Sequence, residues 1–285
     1  MLQTFALSLL NGIGIGMIYF LFAVGLSIVF GIMHFLNLAH GALYMLGAYV
    51  AWAVAQWTGS FWLGLLAAPL VLGAGSYVLK DGIRVLQQLP TTYQILTTIG
   101  VGLVIQELVI IQWDTIGKTL AVPSALEGFV AIGSLLYPKY RLFVVGVGAV
   151  VALGLWLFLE RTRLGAVLRA GTESEQMVSL LGIDMAKVFA WTFALGAALA
   201  AIAGALAAPI RGIEPFMSVE AIATAFVVVV IGGIGNFTGA FLAALLVGIA
   251  QSFVSTLWSE GAGMSGYVLM ALIILLRPRG LMGRA

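Results

Sequence analysis

The chain has 285 residues, 62% of them hydrophobic and 8% charged, with a formal net charge of +2, a pI near 9.0 and a mean hydropathy of +1.14. A soluble domain carries roughly 25% charged residues, and no soluble fold of this length hides so much apolar surface, because part of it must face water. This balance excludes a water-soluble enzyme and leaves an integral membrane protein. The small net charge is no evidence for nucleic acid, and a sequence without cysteine has no disulfides and no thiolate metal sites.

The apolar residues run continuously rather than alternating in the roughly ten-residue pattern of a barrel strand, so the expected class is an all-α integral membrane protein. Lys80 is the first charged residue. A span needs roughly 20 apolar residues, so the block before it holds about three spans. The first is read as a retained span, since no basic residues precede its apolar run. A break near Gly31 to Gly41 separates the first span from the second, and Trp57-Thr58-Gly59-Ser60 turns the second into the third. Further spans fall at about 94–112, 141–159 and 188–209. Ala221 to Ser259 is again uncharged and is interrupted at Gly232-Gly233-Ile234-Gly235-Asn236-Phe237-Thr238-Gly239. A last segment covers about 264–276. The bundle therefore has eight or nine membrane helices in one domain, 1–285.

Alternation along these spans puts Lys80, Arg84, Arg161, Arg163, Arg169, Lys187, Arg277, Arg279 and Arg284 on one side, against Lys118, Lys139, Arg141 and Arg211 on the other. The richer side marks the cytoplasm. The C-terminus and a loop at about 160–187 are then inside and the N-terminus outside. The outer connection from Asp114 to Tyr140 caps an entrance, receives a partner, or is a passive connector.

Inside the cytoplasmic loop, AGTESEQMVSLLGID (170–184) has the punctuation of a short helix. Thr172 and Glu175 form a capping box, in which each side chain satisfies an early backbone N–H. Glu173 and Glu175 suit the positive end of the helix dipole. Gly182 supplies a left-handed stop, and Asp184 caps the next helix. The expected helix has about nine residues and is marginal alone. Its apolar side, Met177, Val178, Leu180 and Leu181, packs on its own spans or the lipid interface, or fits a groove in a cytoplasmic partner.

The run from Leu168 to Pro209 that contains this helix resembles the permeases of branched-chain amino-acid ABC transporters. So do Gly25–Ala51 (with Asn-Leu-Ala-His-Gly), Val227–Gln251 (with Gly-Gly-Ile-Gly) and Leu272–Arg284. The 112–141 region lies outside the resemblance. The resemblance implies an inner-membrane permease subunit working by alternating access. Its implied partners are a second permease subunit, identical or homologous, two cytoplasmic ATPases and an extracytoplasmic binding protein. It also implies ATPase coupling through Arg169, Thr172, Glu173, Glu175, Met177, Leu180, Leu181 and Gly182. The sequence contains no G-x-x-x-x-G-K-[ST], so no cofactor is expected on this chain and ATP belongs to the partners.

Polar residues at membrane depth are functional candidates by default. Asn37 and His40 lie in the first break, where freed amides at a helix start suit a carboxylate; Asn37 as a plain N-cap is the structural alternative. His34 and His40 do not share a helix face, so a metal site is not expected. Gly41-Ala42 and Gly239-Ala240 open new apolar segments after similar breaks, which points to an internal inverted repeat or to two unrelated glycine-rich packing sites. The pathway set is Asn37, His40, Gly41, Tyr44, Gly232, Gly233, Gly235 and Asn236. Glu107, the most deeply placed carboxylate, faces the protein interior or lies near a wet end. Arg211 and Glu214 contact a delivering protein or lie in a solvated loop. Leucine, isoleucine and valine are the expected cargo, with urea, short amides or other neutral amino acids as the alternative. An ion-driven transporter lacks paired intramembrane carboxylates here, and an intramembrane hydrolase lacks G-x-S-x-G.

Overall fold

A computed structural model describes residues 2–133 and 135–283, so Arg284 lies outside the described residues. The helices are α1 (Leu2–Met33), α2 (His40–Thr58), α3 (Phe61–Val78), α4 (Lys80–Gln87), α5 (Thr91–Trp113), α6 (Lys139–Arg161), α7 (Arg163–Glu173), α8 (Glu175–Leu180), α9 (Met185–Arg211), α10 (Met217–Gly232), α11 (Phe237–Leu257) and α12 (Ala262–Leu276). One antiparallel hairpin, β1 (Phe129–Ile132) with β2 (Leu135–Pro138), lies between α5 and α6. Among the described residues, seven stretches are long and apolar enough to cross a membrane: α1, α3, α5, α6, α9, α11, and α12 with the short turn before it. The 19-residue α2 and the shorter apolar α10 bring the bundle to nine.

Two helices form the centre. α1 packs against α11, α9, α6 and α10, while α9 packs against α1, α2 and α3. The sequence of α9 explains its place: its alanines and glycines from Ala197 to Ala208 are nearly all buried. In lipid, where apolar surface alone drives no association, small residues let backbones approach closely. Gly204 is the clearest case, since a Cβ there would lie 2.0 Å from the Tyr44 carbonyl oxygen. Tyr140 at the start of α6 reaches the same helix, its hydroxyl donating to the Leu206 carbonyl at 2.9 Å.

The charge segregation expected from sequence is present in space. The end of α1, the start of α9, α7 and the 280–283 segment gather at one end. At the other, Lys118 pairs through its backbone with Ile213, and Tyr137 of the hairpin donates to the Leu10 carbonyl. The connection from Asp114 to Tyr140 is thus a folded segment with a hairpin and a 3-10 turn (Ser124–Leu126), not a bare loop. α4 was also not expected. It follows α3 after a single residue, too short and too polar to register in a search for spans.

Candidate functional site

Both sequence-predicted breaks exist, and they touch. α1 ends at Met33, and the chain runs through His34–Ala39 before α2 begins at His40. α10 ends at Gly232, and Gly233–Asn236 leads into α11. A Cβ on Gly31 would lie 2.6 Å from the Cα of Gly235, so the two breaks meet backbone to backbone. Asn236 caps α11 by accepting from the Gly239 amide at 2.8 Å, and its Nδ2 donates to the Met282 carbonyl at 2.9 Å. Leu281 and Met282 donate their amides to the Ile231 and Gly232 carbonyls, so the 281–283 segment dresses the end of α10.

The N-cap alternative for Asn37 is not what the fold uses. Ala39 occupies the cap position of α2 without a side-chain bond. Asn37 offers its main-chain carbonyl to the His40 amide, and its buried Nδ2 has no partner among the described residues. Burying such a group without a bond is unfavourable by about 1–3 kcal/mol. His40 is buried, stacked on Phe22 with centroids 4.8 Å apart, and its Nε2 lies 3.0 Å from the Phe22 carbonyl oxygen. It sits at the level of Gly196, near the midpoint of α9. Gly41, next to it, is pressed against the start of α10: a Cβ there would lie 2.2 Å from the Ser218 carbonyl oxygen. Two helices therefore begin side by side in the interior of the bundle.

The eight pathway residues do not share one cavity. Gly235 and Asn236 line an inner cavity of about 460 Å³ with Gly31, His34, Arg169 and Thr172. Tyr44 lines a separate outer cavity of about 200 Å³. Asn37 and His40 lie in the packed layer and line neither. In this structure Asn37, His40, Tyr44 and Asn236 therefore line no continuous chamber. The Gly41–Ser218 contact leaves no space at that level.

The outer cavity holds Arg211, Glu214 and Glu220. Arg211, about one-third exposed, donates from Nη2 to the Tyr19 hydroxyl at 2.6 Å and from Nη1 to Glu220 at 3.3 Å. Its guanidinium lies 5.3 Å from the Tyr19 ring centre. Tyr19 in turn donates to Gln251 Oε1 at 2.5 Å. Arg211 is thus turned into the protein rather than lying in a loose loop. Tyr19 and Gln251 escaped the sequence reading, although a tyrosine and a glutamine inside long apolar runs were the available signal. Glu107 goes the other way. It is exposed on α5, while Gln106 and Val109 take the inward positions and Gln106 accepts from Ser218 Oγ at 3.0 Å. Successive helical residues lie about 100° apart, so Glu107 cannot share that face.

At the basic end, the helix boundaries differ from the capping-box expectation. Thr172 is inside α7, and its hydroxyl donates back to the Arg169 carbonyl at 2.7 Å. Ser174 is the cap of α8, accepting from the Met177 amide at 3.2 Å. The reason is that α7, capped by Thr162 on Gly165, runs through the polar segment and ends only at Glu173. The predicted helix of about nine residues is the six of Glu175–Leu180. Gly182 is left-handed at φ +79°, as expected. Asp184 caps α9 through the Ala186 and Lys187 amides. Its carboxyl is held below the usual carboxylate range, first by Lys187. Arg169 bridges to Glu160 at 3.5 Å and bonds the Leu159 carbonyl, tying α7 to α6. On α8 only Val178 is buried; Met177, Leu180 and Leu181 stand in the open, Leu180 with 81% of its surface exposed.

Known proteins match this arrangement along nearly its whole length. The family model described as branched-chain amino acid transport system / permease component matches residues 8–276. The high-affinity branched-chain amino acid transport system permease protein BraD of Pseudomonas aeruginosa is 33% identical, over 97% of this chain and 95% of its own. The corresponding LivH of Escherichia coli K12 is 31% identical, over 98% and 96%. LivM of the same organism is 29% identical, over 93% of this chain and 68% of its own. A solved structure, PsaBC from Streptococcus pneumoniae in complex with Fab, superposes with a TM-score of 0.51 at 13% identity, covering 93% of this chain and 89% of that one, a likeness of fold alone. With one family model spanning almost every helix, the chain belongs to the branched-chain amino acid transport permease family.

Proposed function

We propose that this permease is the membrane-spanning subunit of an ATP-driven importer for leucine, isoleucine and valine, residing in a bacterial inner membrane with its basic end in the cytoplasm. The observation that carries the reading is α8, a short, well-capped helix that with its C-cap residue Leu181 exposes three large apolar side chains at the basic end. Exposed clusters of this kind mark protein contact sites. Arg169, Thr172, Glu173 and Glu175 surround the same element. The chain has no phosphate-cradling loop, so nucleotide is bound and hydrolysed by partner subunits docked on α8. Separately named permeases, LivH and LivM, among the relatives support a pair of permease subunits. An extracytoplasmic binding protein delivers cargo to the hairpin-capped end.

In this mechanism the outer cavity beside Tyr44 and the inner cavity beside Asn236 are the two halves of one route. Both are separated by the layer holding Asn37, His40 and Gly41, which opens when the ATPases pull on α8. The test is uptake of labelled leucine by vesicles carrying the complete complex. Uptake that needs ATP and is blocked by unlabelled valine but not by urea is the expected result. Uptake without ATP overturns the importer class, and blockade by urea with leucine ignored moves the cargo to amides.

A further inference from the structure

We propose that the outer cavity beside Arg211 is a binding site for the zwitterionic head of a free α-amino acid, with Arg211 taking the carboxylate and Glu220, aided by Glu214, taking the ammonium. The inference rests on the importer reading above and deepens it. It concerns a site inside the permease, separate from any binding protein.

Four observations carry it. First, Arg211 is fixed in place. Tyr19 accepts from Nη2 at 2.6 Å, Tyr19 is anchored on Gln251 at 2.5 Å, and its ring lies under the guanidinium. A guanidinium has five donors in a rigid fork matched to a carboxylate. Two bonds are made within the protein, which leaves donors for a ligand. Second, the opposite charge is present in the same cavity. Glu214 and Glu220 both line it, and Glu220 engages Arg211 through one oxygen at 3.3 Å. A ligand with one positive and one negative group inserts between these partners without changing the net charge of the site. Third, apart from Thr224 the remaining side chains of the wall are apolar or aromatic, Ile18, Phe22, Phe216 and Met217 among them. That mixture of a few placed polar groups in an apolar lining is the usual composition of a small-molecule site. Fourth, the size fits. The cavity of about 200 Å³ has room for several waters and so for a small aliphatic amino acid.

The position gives the site a task. It lies directly outside the closed layer where α2 and α10 begin, so cargo released at the outer end would pause there before the layer opens. Urea and simple amides have neither a carboxylate nor an ammonium and would form no ion pair with Arg211 or Glu220. A site of this kind therefore sets the cargo class within the membrane as well as at delivery.

The test is equilibrium binding of labelled leucine to the purified complete permease–ATPase complex, without the binding protein. Competitors are leucinamide, which lacks the carboxylate, and 4-methylpentanoate, which lacks the ammonium. Wild type is expected to bind leucine, and each competitor to be at least tenfold weaker than unlabelled leucine. Arg211→Met should lose at least tenfold in leucine affinity and Arg211→Lys should fall between. Glu220→Gln should narrow the gap between leucine and 4-methylpentanoate. Leucinamide competing as well as leucine overturns the site, as does undiminished leucine binding in Arg211→Met. If Arg211→Met fails to fold, the competitor series on wild type decides alone. Absence of leucine binding in a complex whose complete system takes up leucine with ATP overturns the site and spares the importer reading. A complete system that takes up no amino acid overturns both.

Discussion

The middle of α9 and the whole of α8 are built on opposite rules. α9 is apolar and its side chains are small, so its neighbours come within backbone contact and almost nothing between Ala197 and Ala208 reaches the surface. α8 is short and mixed, its apolar side chains are large, and all but Val178 lie outside. In a soluble protein the large apolar residues would be the interior. Here the lipid is as apolar as leucine, so hydrophobicity alone does not choose what goes inside. Closeness of packing does, and it selects alanine and glycine. Large apolar groups exposed at the end of the bundle then mark a surface that this packing leaves uncovered.

The contrast is broken most severely by adding bulk to the centre. In Gly204→Leu even the first added carbon would meet the Tyr44 carbonyl. Overpacking a filled interior is unfavourable by about 1–3 kcal/mol and occasionally more, and rigid backbone on the far side puts this site at the upper end. Monodisperse protein in detergent, read by size-exclusion chromatography, should be lost; a normal peak would show that α2 and α9 are not held at that distance. An equally drastic change on α8 should leave the fold alone. Leu180→Asp is expected to keep the elution profile and thermal midpoint of the wild type while lowering ATP-driven uptake at least tenfold. Wild-type uptake in that variant would remove α8 from coupling. The smallest effect separates two neighbours. Ser174→Ala removes the cap that accepts from Met177 and should destabilise the local helix by about 0.5–2 kcal/mol, seen as faster amide exchange at 175–180. Thr172→Ala removes only a hydroxyl that bonds back within α7 and should leave that exchange near its wild-type rate. The reverse order would restore the capping box at Thr172.

The sequence made the scaffold legible for the same reason that it obscured the site. Length and hydropathy located the spans at about 94–112, 141–159 and 188–209 to within three residues at each end, because a lipid-crossing helix must satisfy its backbone internally. The breaks at 34–39 and 233–236 were visible through glycine and asparagine inside apolar runs. Their contact through Gly31 and Gly235 was not, since it depends on α1 and α11 lying side by side. The capping box at Thr172 fails because α7 runs on to Glu173, an extent the local Thr-x-x-Glu pattern does not reveal, and Ser174 then caps α8. Arg211 was noticed and placed in a loop or at a docking surface, because no linear pattern reveals that Tyr19, more than 190 positions earlier, holds it inward.

The meeting of Gly31 with Gly235 has a mechanical meaning. A junction of two main chains with no side chains between them has no teeth: no rotamer must flip and no knob must leave a hole for one strip to slide along the other. Ile32, the next residue, touches α7 at Gly171, and α7 is one cap away from α8. In the coupling proposed above, a displacement of α8 reaches α1 beside this junction of bare main chains.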